Sequence, residues 1–398
     1  MSLLSQYFIG IAAKRLSAVE VDPETSNQHE FNGIRAMAGL FGRARTRMKC
    51  AYLYLGEDED HTTTAEGILT WYDARENHAT RTEYRLYFQG NSVMELAGVG
   101  DLLVIGLRTD GTALALVVKQ GSTYERQVSW LFSASTTSNG FFVNTMEGES
   151  NRTLGYAERT ILETIGVEVE PEETGWLDRL IGQFGTAFPP TRVFSQFARE
   201  TLRGTGSSLD GPDTVLLAWV NHEEMLFRTL ERHIVQTRLD SGFADVDDFV
   251  QFSLSVHNRR KSRMGFALEN HLEQVFIEHG ITYSRESVTE NKSKPDFIFP
   301  GIAQYHDGGF PTARLTMLGA KSTCKDRWRQ VLAEARRINE KHLFTLEPGI
   351  STNQTNEMQS EHLQLVLPEG LHGSYLPEQQ GWLMNLAEFI QAVGAKQT

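Results

Sequence analysis

The spacing of apolar residues changes partway along this chain, from the two-residue alternation of strands to the three-to-four-residue recurrence of helices. That change limits the fold to two unlike parts. Upstream, Ala51-Tyr-Leu-Tyr-Leu55, Glu83-Tyr-Arg-Leu-Tyr-Phe88, Leu102–Leu107 and Thr112–Val118 are strand candidates. The last two flank Arg108-Thr-Asp-Gly111, a hairpin turn signal in which glycine supplies the positive φ. Strands at this spacing predict a barrel or sandwich. A helix is expected over Arg152–Ile165, and then Val167-Glu-Val-Glu-Pro-Glu-Glu-Thr-Gly175 is acidic, contains proline and has no period. It is read as the linker, giving a β-rich domain over 1–166 and a second domain over 176–398. Downstream, helices are expected over Thr191–Arg203, Pro212–His233 and Phe266–His279. They are followed by strands at Asp296–Phe299 and Leu315–Ala320, a helix over Lys325–Lys341 and a strand at His342–Leu346. That order is an α/β core.

Composition narrows the function classes. At 40% hydrophobic and 22% charged residues the chain is globular rather than disordered. It has no apolar run of the length a membrane span needs, and Lys14 and Arg15 follow rather than precede the first apolar stretch, unlike a secretion signal. Two distant cysteines, Cys50 and Cys324, exclude a disulfide framework and point to a reducing, cytoplasmic location. A net charge of −13 argues against a nucleic-acid partner if charge is evenly spread. It is not: Val256–His342 carries 15 basic and 10 acidic residues, while the remainder sums to −18. The basic segment includes Arg259-Arg260-Lys261-Ser-Arg263 and Lys325-Asp326-Arg327-Trp-Arg329, the pattern of a polyanion site on an otherwise repelling surface. A solvated helix face is the plainer explanation of such runs.

The candidate chemistry lies in the same segment. Asp296 opens an apolar strand behind Pro295, and Lys321 ends the next strand. A carboxylate that holds a divalent cation and a lysine that orients water are the minimal parts for phosphodiester hydrolysis. The position two residues before the lysine, where nucleases usually carry a second acid, is Gly319. Glu334, expected on the following helix, is the natural replacement; with Arg336 and Arg337 beside it, a surface helix acid is the alternative.

Ser255–Arg263, Leu272–Gly280, Lys294-Pro-Asp-Phe297, Tyr305-His-Asp307, Lys321–Gln330 and His342–Leu346 together resemble the C-terminal half of EcoRII-type restriction endonucleases, nearly continuously from Leu254 to Gly349. The resemblance implies a restriction-endonuclease-like, PD-(D/E)xK catalytic domain with Asp296 and Glu334 as metal ligands for Mg²⁺ and Lys321 as catalytic lysine. It further implies Tyr305 near the site and Glu269 as a further acid on the first core helix. It implies that Lys325, Asp326 and Arg327 read cytosine–guanine pairs, in keeping with arginine on guanine and aspartate on the cytosine amino group. Arg259, Arg260 and Arg263 are added as DNA contacts from the basic run. Thr80-Arg-Thr-Glu-Tyr-Arg85 is similar in character to a strand of the family's N-terminal effector-DNA domain, a β pseudobarrel, and suggests Arg81, Glu83 and Arg85 as effector contacts on one strand face. Upstream of Thr80 the sequence departs from the family.

The function expected is a Mg²⁺-dependent, sequence-specific double-stranded DNA endonuclease acting by direct water attack at a short CCWGG-like palindrome. The expectation includes a homodimer, no membrane, a possible cognate methyltransferase, and an N-terminal domain that binds a second DNA copy. The alternatives are a phage-defence nuclease whose divergent N-terminal domain senses modified or invading DNA, and an inactive DNA-binding regulator.

Overall fold

The computed structural model describes residues 3–21, 29–57, 62–78, 80–135, 140–169, 175–324 and 327–398. Two compact units emerge, Met1–Val169 with Gly349–Asn353, and Glu170–Pro348 with Gln354–Thr398. Residues 170–174 of the acidic linker lie outside the described residues.

The N-terminal unit is built on one eight-stranded sheet: β1 (Phe8–Arg15), β2 (Glu30–Asn32), β3 (Thr46–Leu55), β4 (Thr62–Asp73), β5 (Tyr84–Phe88), β6 (Leu102–Arg108), β7 (Ala113–Val118) and β8 (Phe142–Thr145). Their order is β2-β5-β4-β3-β7-β6-β1-β8. The hairpin expected at Arg108–Gly111 joins β6 to β7, with Gly111 at φ 81°. Successive side chains of β6 enter opposite cores: Leu102 and Val104 pack with Phe8, Leu116 and Ile161, whereas Leu103 and Ile105 pack with Trp71, Val117 and Leu86. Burial of both sheet faces explains why β6 and β7 read as continuous apolar runs.

The C-terminal unit begins with helices. Trp176–Phe184, Thr191–Thr201 and the 30-residue Pro212–Ser241 share a core of Leu180, Phe194, Ala198, Leu226, Phe227 and Leu230. Next comes the 33-residue helix Val246–Glu278, much longer than the Phe266–His279 expected, because its first half has too few buried apolar residues to announce itself. A five-stranded mixed sheet follows, ordered β13-β12-β11-β10-β9: β9 (Ser284–Arg285), β10 (Phe297–Phe299), β11 (Thr316–Lys321), β12 (Lys341–Thr345) and β13 (Leu363–Val366). β10 runs antiparallel to β11, and β11, β12 and β13 are parallel. This is the α/β core that the element order implied. A further element differs: the helix expected over Lys325–Lys341 is only Trp328–Leu332, and the chain then turns back with Ala335 at φ 45°.

Candidate active site

Phe297 pairs with Leu318 across the β10–β11 ladder, so Asp296 falls opposite Gly319 and close to the end of β11. The Asp296 carboxylate accepts the backbone N–H of Ala320 at 2.6 Å and the Lys321 ammonium at 2.7 Å. Both side chains are mostly buried, at 13% and 14% exposure, so the pair is held where water screens it weakly. Adjacent strand ends therefore bring the two residues together as their spacing suggested.

Gly319 has a packing reason for lacking a carboxylate. A Cβ there would meet the Val331 methyls at 3.0 and 3.3 Å. Val331 is fully buried on the helix Trp328–Leu332, which lies across β11 at this point. The helix occupies the space of the missing side chain, and two residues after its end the chain delivers Glu334, whose N–H donates to the Val331 carbonyl at 3.1 Å. Glu334 is thus on a turn, not on a helix as expected. Burial first, and then the Asp296 carboxylate, push its pKa up to about 7, against the opposing charges of Lys321 and Lys341. Its Oε2 is buried without a hydrogen-bond partner among the described residues.

A second set of residues fixes that turn: Tyr305, which the resemblance placed near the site, and Glu290 and Arg337, which the sequence did not mark for this role. The Tyr305 hydroxyl donates to Glu290, at 2.6 and 2.7 Å from its two carboxylate oxygens. The Arg337 N–H donates to the same hydroxyl at 3.3 Å, and the Arg336 N–H donates to Glu290 at 3.3 Å. The Arg337 guanidinium donates in turn to the carbonyls of Gln304 at 3.3 Å and Asp307 at 2.7 Å. Tyr305, 2% exposed, is therefore a brace for the turn carrying Glu334. No spacing rule links Glu290 to Arg337; only their common partner Tyr305 does.

Glu269 also feels Asp296. Burial and then the Asp296 charge raise its pKa, but its carboxylate is engaged by Arg285 at 2.9 Å. Arg285 also donates to Asn270 at 2.8 Å and Glu273 at 2.9 Å. Glu269 is therefore committed to an ion pair at the edge of the site.

The proposed reading residues divide. Lys325 and Asp326 lie outside the described residues. Arg327 is exposed, and its N–H donates to the Cys324 carbonyl at 2.7 Å. Cys324 is fully buried, its thiol pKa raised by that burial, and its N–H donates to buried Glu347, an anchor that sequence reasoning missed. Arg263 is not placed to meet DNA. It is 7% exposed, lies 4.0 Å over the Phe227 ring and is ion-paired with Glu223 at 3.3 Å and with Glu224. Arg260 binds Glu231 at 2.7 Å, and Arg259 stacks 4.8 Å over Phe188. Alternation along a helix sent this basic run partly inward, where buried acids that the local count omitted neutralise it.

In the N-terminal unit, Arg81 is exposed but precedes β5, so Arg81, Glu83 and Arg85 do not share one strand face. Glu83 is bound by Arg85 at 2.6 Å and by Arg75 at 2.5 Å, and Arg85 also binds Glu30 at 2.7 Å. Cross-strand ion pairs account for two of the three residues.

Comparison with known proteins shows what this part of the chain is similar to. Residues 227–390 match the family model described as EcoRII C terminal. This region is therefore similar to the C-terminal domain of EcoRII. The type II restriction enzyme EcoRII of Escherichia coli is 46% identical over 185 residues, which cover 46% of this chain and 46% of that enzyme. The chain thus spans about half the length of the curated relative it matches. Among solved structures, metal-depleted Ecl18kI in complex with uncleaved, modified DNA is 18% identical, covering 57% of this chain and 85% of that one with a TM-score of 0.46. The PspGI–substrate DNA complex is 14% identical, covering 52% and 93% with a TM-score of 0.43.

The residues present fit a hard divalent cation. Asp296 and Glu334 offer carboxylate oxygens, and the unpartnered, buried Glu334 Oε2 is the kind of atom a cation satisfies. No group of three or more metal-ligating side chains occurs among the described residues, so the rest of the shell would be water and phosphate oxygen. No helix among them is long and apolar enough to cross a membrane.

Proposed function

We propose that the protein is a type II, sequence-specific endonuclease that hydrolyses phosphodiester bonds in double-stranded DNA. The observation that carries this reading is the Asp296–Lys321 pair at adjoining strand ends, with Glu334, whose Oε2 has no hydrogen-bond partner among the described residues, electrostatically coupled to it. Mg²⁺ held by Asp296 and Glu334 would stabilise charge on the scissile phosphate and lower the pKa of water. Lys321, fixed against Asp296, orients the attacking water and offsets negative charge as it develops on the phosphate. Tyr305, Glu290 and Arg337 hold the Glu334 turn in place, and Arg327 is the exposed residue available for guanine. The 46% identity to EcoRII supports a short C/G-rich, CCWGG-like palindrome cut by a homodimer in the cytoplasm, within a restriction–modification or phage-defence role alongside a methyltransferase. The N-terminal unit binds a second DNA copy in this reading.

The test is incubation of the full chain with plasmid DNA carrying such sites, in Mg²⁺ and in EDTA. Discrete fragments in Mg²⁺ alone, lost in Asp296→Ala and Lys321→Ala, are expected. Intact plasmid with wild type, or equal cutting by Asp296→Ala, refutes the proposal.

A further inference from the structure

Between Phe31 and Gly56 the chain carries Arg35, Arg43, Arg45, Arg47 and Lys49 and not one Asp or Glu. Within a protein of net charge −13, that stretch is a second basic island, far from the candidate active-site sequence. Strand geometry places it on a surface. Met48 and Cys50 of β3 are buried, so Arg47 and Lys49 alternate outward, and Arg43 and Arg45 are exposed just ahead of the strand.

The sheet register extends this edge into a face. Arg47 pairs with Thr70 of β4, and Thr70 pairs with Tyr87 of β5, which is 40% exposed. Tyr72 stands next along β4, opposite Arg85, and the Arg45 guanidinium lies 5.4 Å over the Tyr72 ring. Cations and the tyrosines Tyr72 and Tyr87 therefore interleave across three adjacent strands.

Five other cations of the unit are each held by a carboxylate. Lys14 is paired with Glu20, Arg15 with Glu125, Arg75 with Glu83, Arg85 with Glu30 and Lys119 with Glu57. Among the described residues, Arg43, Arg45, Arg47 and Lys49 have no such carboxylate partner. Four neighbouring uncompensated cations repel one another, a cost that a polyanion bound along them would relieve.

We infer that the β3–β4–β5 face, led by Arg43, Arg45, Arg47 and Lys49, is a binding surface for the phosphate backbone of duplex DNA. The inference rests on the reading of this protein as DNA-directed. It moves the N-terminal contacts from Arg81, Glu83 and Arg85 to a strand that nothing above assigned. Alternate residues of a strand stand about 6.8 Å apart, which spaces Arg47 and Lys49 to follow one phosphate strand, with Arg43 and Arg45 leading into it from the bend just ahead. A strand pair of this kind also fits a major groove, where the exposed Tyr87 would face base edges. Single-stranded nucleic acid is disfavoured because it needs open stacking platforms, and Tyr72 is covered by Arg45 with its hydroxyl bound to Glu30.

The experiment uses the full chain in EDTA, with a fluorescent DNA duplex titrated at several salt concentrations. Each lost phosphate contact lowers the slope of log K against log salt by about 0.9, so Arg43→Gln/Arg45→Gln/Arg47→Gln/Lys49→Gln should reduce the slope by about 3 to 4 and weaken binding at least tenfold. Arg47→Gln/Lys49→Gln, which keeps the loop intact, should reduce it by about 2, and Arg45→Lys/Arg47→Lys should keep the wild-type slope. Unchanged slope and affinity in both Gln variants overturn the inference. So does single-stranded DNA or duplex RNA that binds as tightly as duplex DNA and loses the same slope in those variants. Plasmid cleavage in Mg²⁺ is scored separately. Absence of cutting with a reduced slope sinks only the nuclease reading, and normal cutting with an unchanged slope sinks only this one.

Discussion

Glu334→Gln isolates the energetic consequence of keeping a carboxyl in this site. In the metal-free protein, burial and the Asp296 charge raise the Glu334 pKa from 4.5 to about 7. A group whose folded pKa lies above its unfolded value contributes stability that is fully present below pH 4.5 and lost as pH rises through 7. Between pH 5 and pH 8.5 that loss amounts to about 2–3 kcal/mol at 1.36 kcal/mol per pH unit, and to about 2 kcal/mol once partial exposure of the side chain is allowed for. Glutamine has the shape of the protonated acid and cannot ionise. The difference in unfolding free energy between wild type and Glu334→Gln should therefore shift by about 2 kcal/mol in favour of the variant from pH 5 to pH 8.5. Chemical denaturation in EDTA, followed by circular dichroism at the two pH values, measures it. In Mg²⁺ the shift should shrink, because a cation on the ionised carboxylate stabilises the wild type alone. A pH-independent difference, or one moving the other way, would show that Glu334 does not ionise in the buried setting described, and the argument for a cation-binding acid would fall with it.

Three further outcomes follow from the same geometry. Gly319→Ala forces a Cβ against Val331 and should destabilise the protein by about 1–3 kcal/mol. Gly319→Asp should not improve cleavage, and denaturation midpoints with plasmid assays on both variants decide this. Tyr305→Phe and Arg337→Ala loosen the Glu334 turn and should lower kcat about tenfold with little change in DNA Kd; an equal loss in Kd would argue for direct DNA contact instead. His342 is buried beside Phe389, and that burial lowers its pKa from 6.5 to about 4. A histidine with a depressed folded pKa contributes stability above pH 6.5 that is lost as pH falls toward 4, here about 3 kcal/mol. His342→Phe should flatten acid destabilisation between those pH values, and an unchanged acid limb in denaturation titrations would refute the assignment.

How far the sequence alone reaches can be judged residue by residue. Periodicity exposed β6, β7 and the hairpin between them, because burial on both faces and a turn glycine are local signals. It missed β1 and β4, whose mixture of small, polar and charged residues gains a strand register only from neighbouring strands. Asp296 and Lys321 were legible because each sits at a strand end and strand ends adjoin. Glu334 was legible as a residue type but not as a place. Its turn exists because Val331 fills the space over Gly319 and because Tyr305 and Glu290 brace the backbone beyond it. The basic run Arg259–Arg263 was visible as charge, whereas its partial internal neutralisation depends on Glu223, Glu224 and Glu231 from another helix. The sequence determined the division into two units of unlike period, the chemistry of the acidic and basic side chains, and where charge concentrates along the chain. Tertiary structure decided which of those charges face solvent, which cancel one another in the interior, and which carboxyl is left without a partner. The physical reason is that burial and charge pairing depend on distances between residues remote in sequence, and only packing sets those distances.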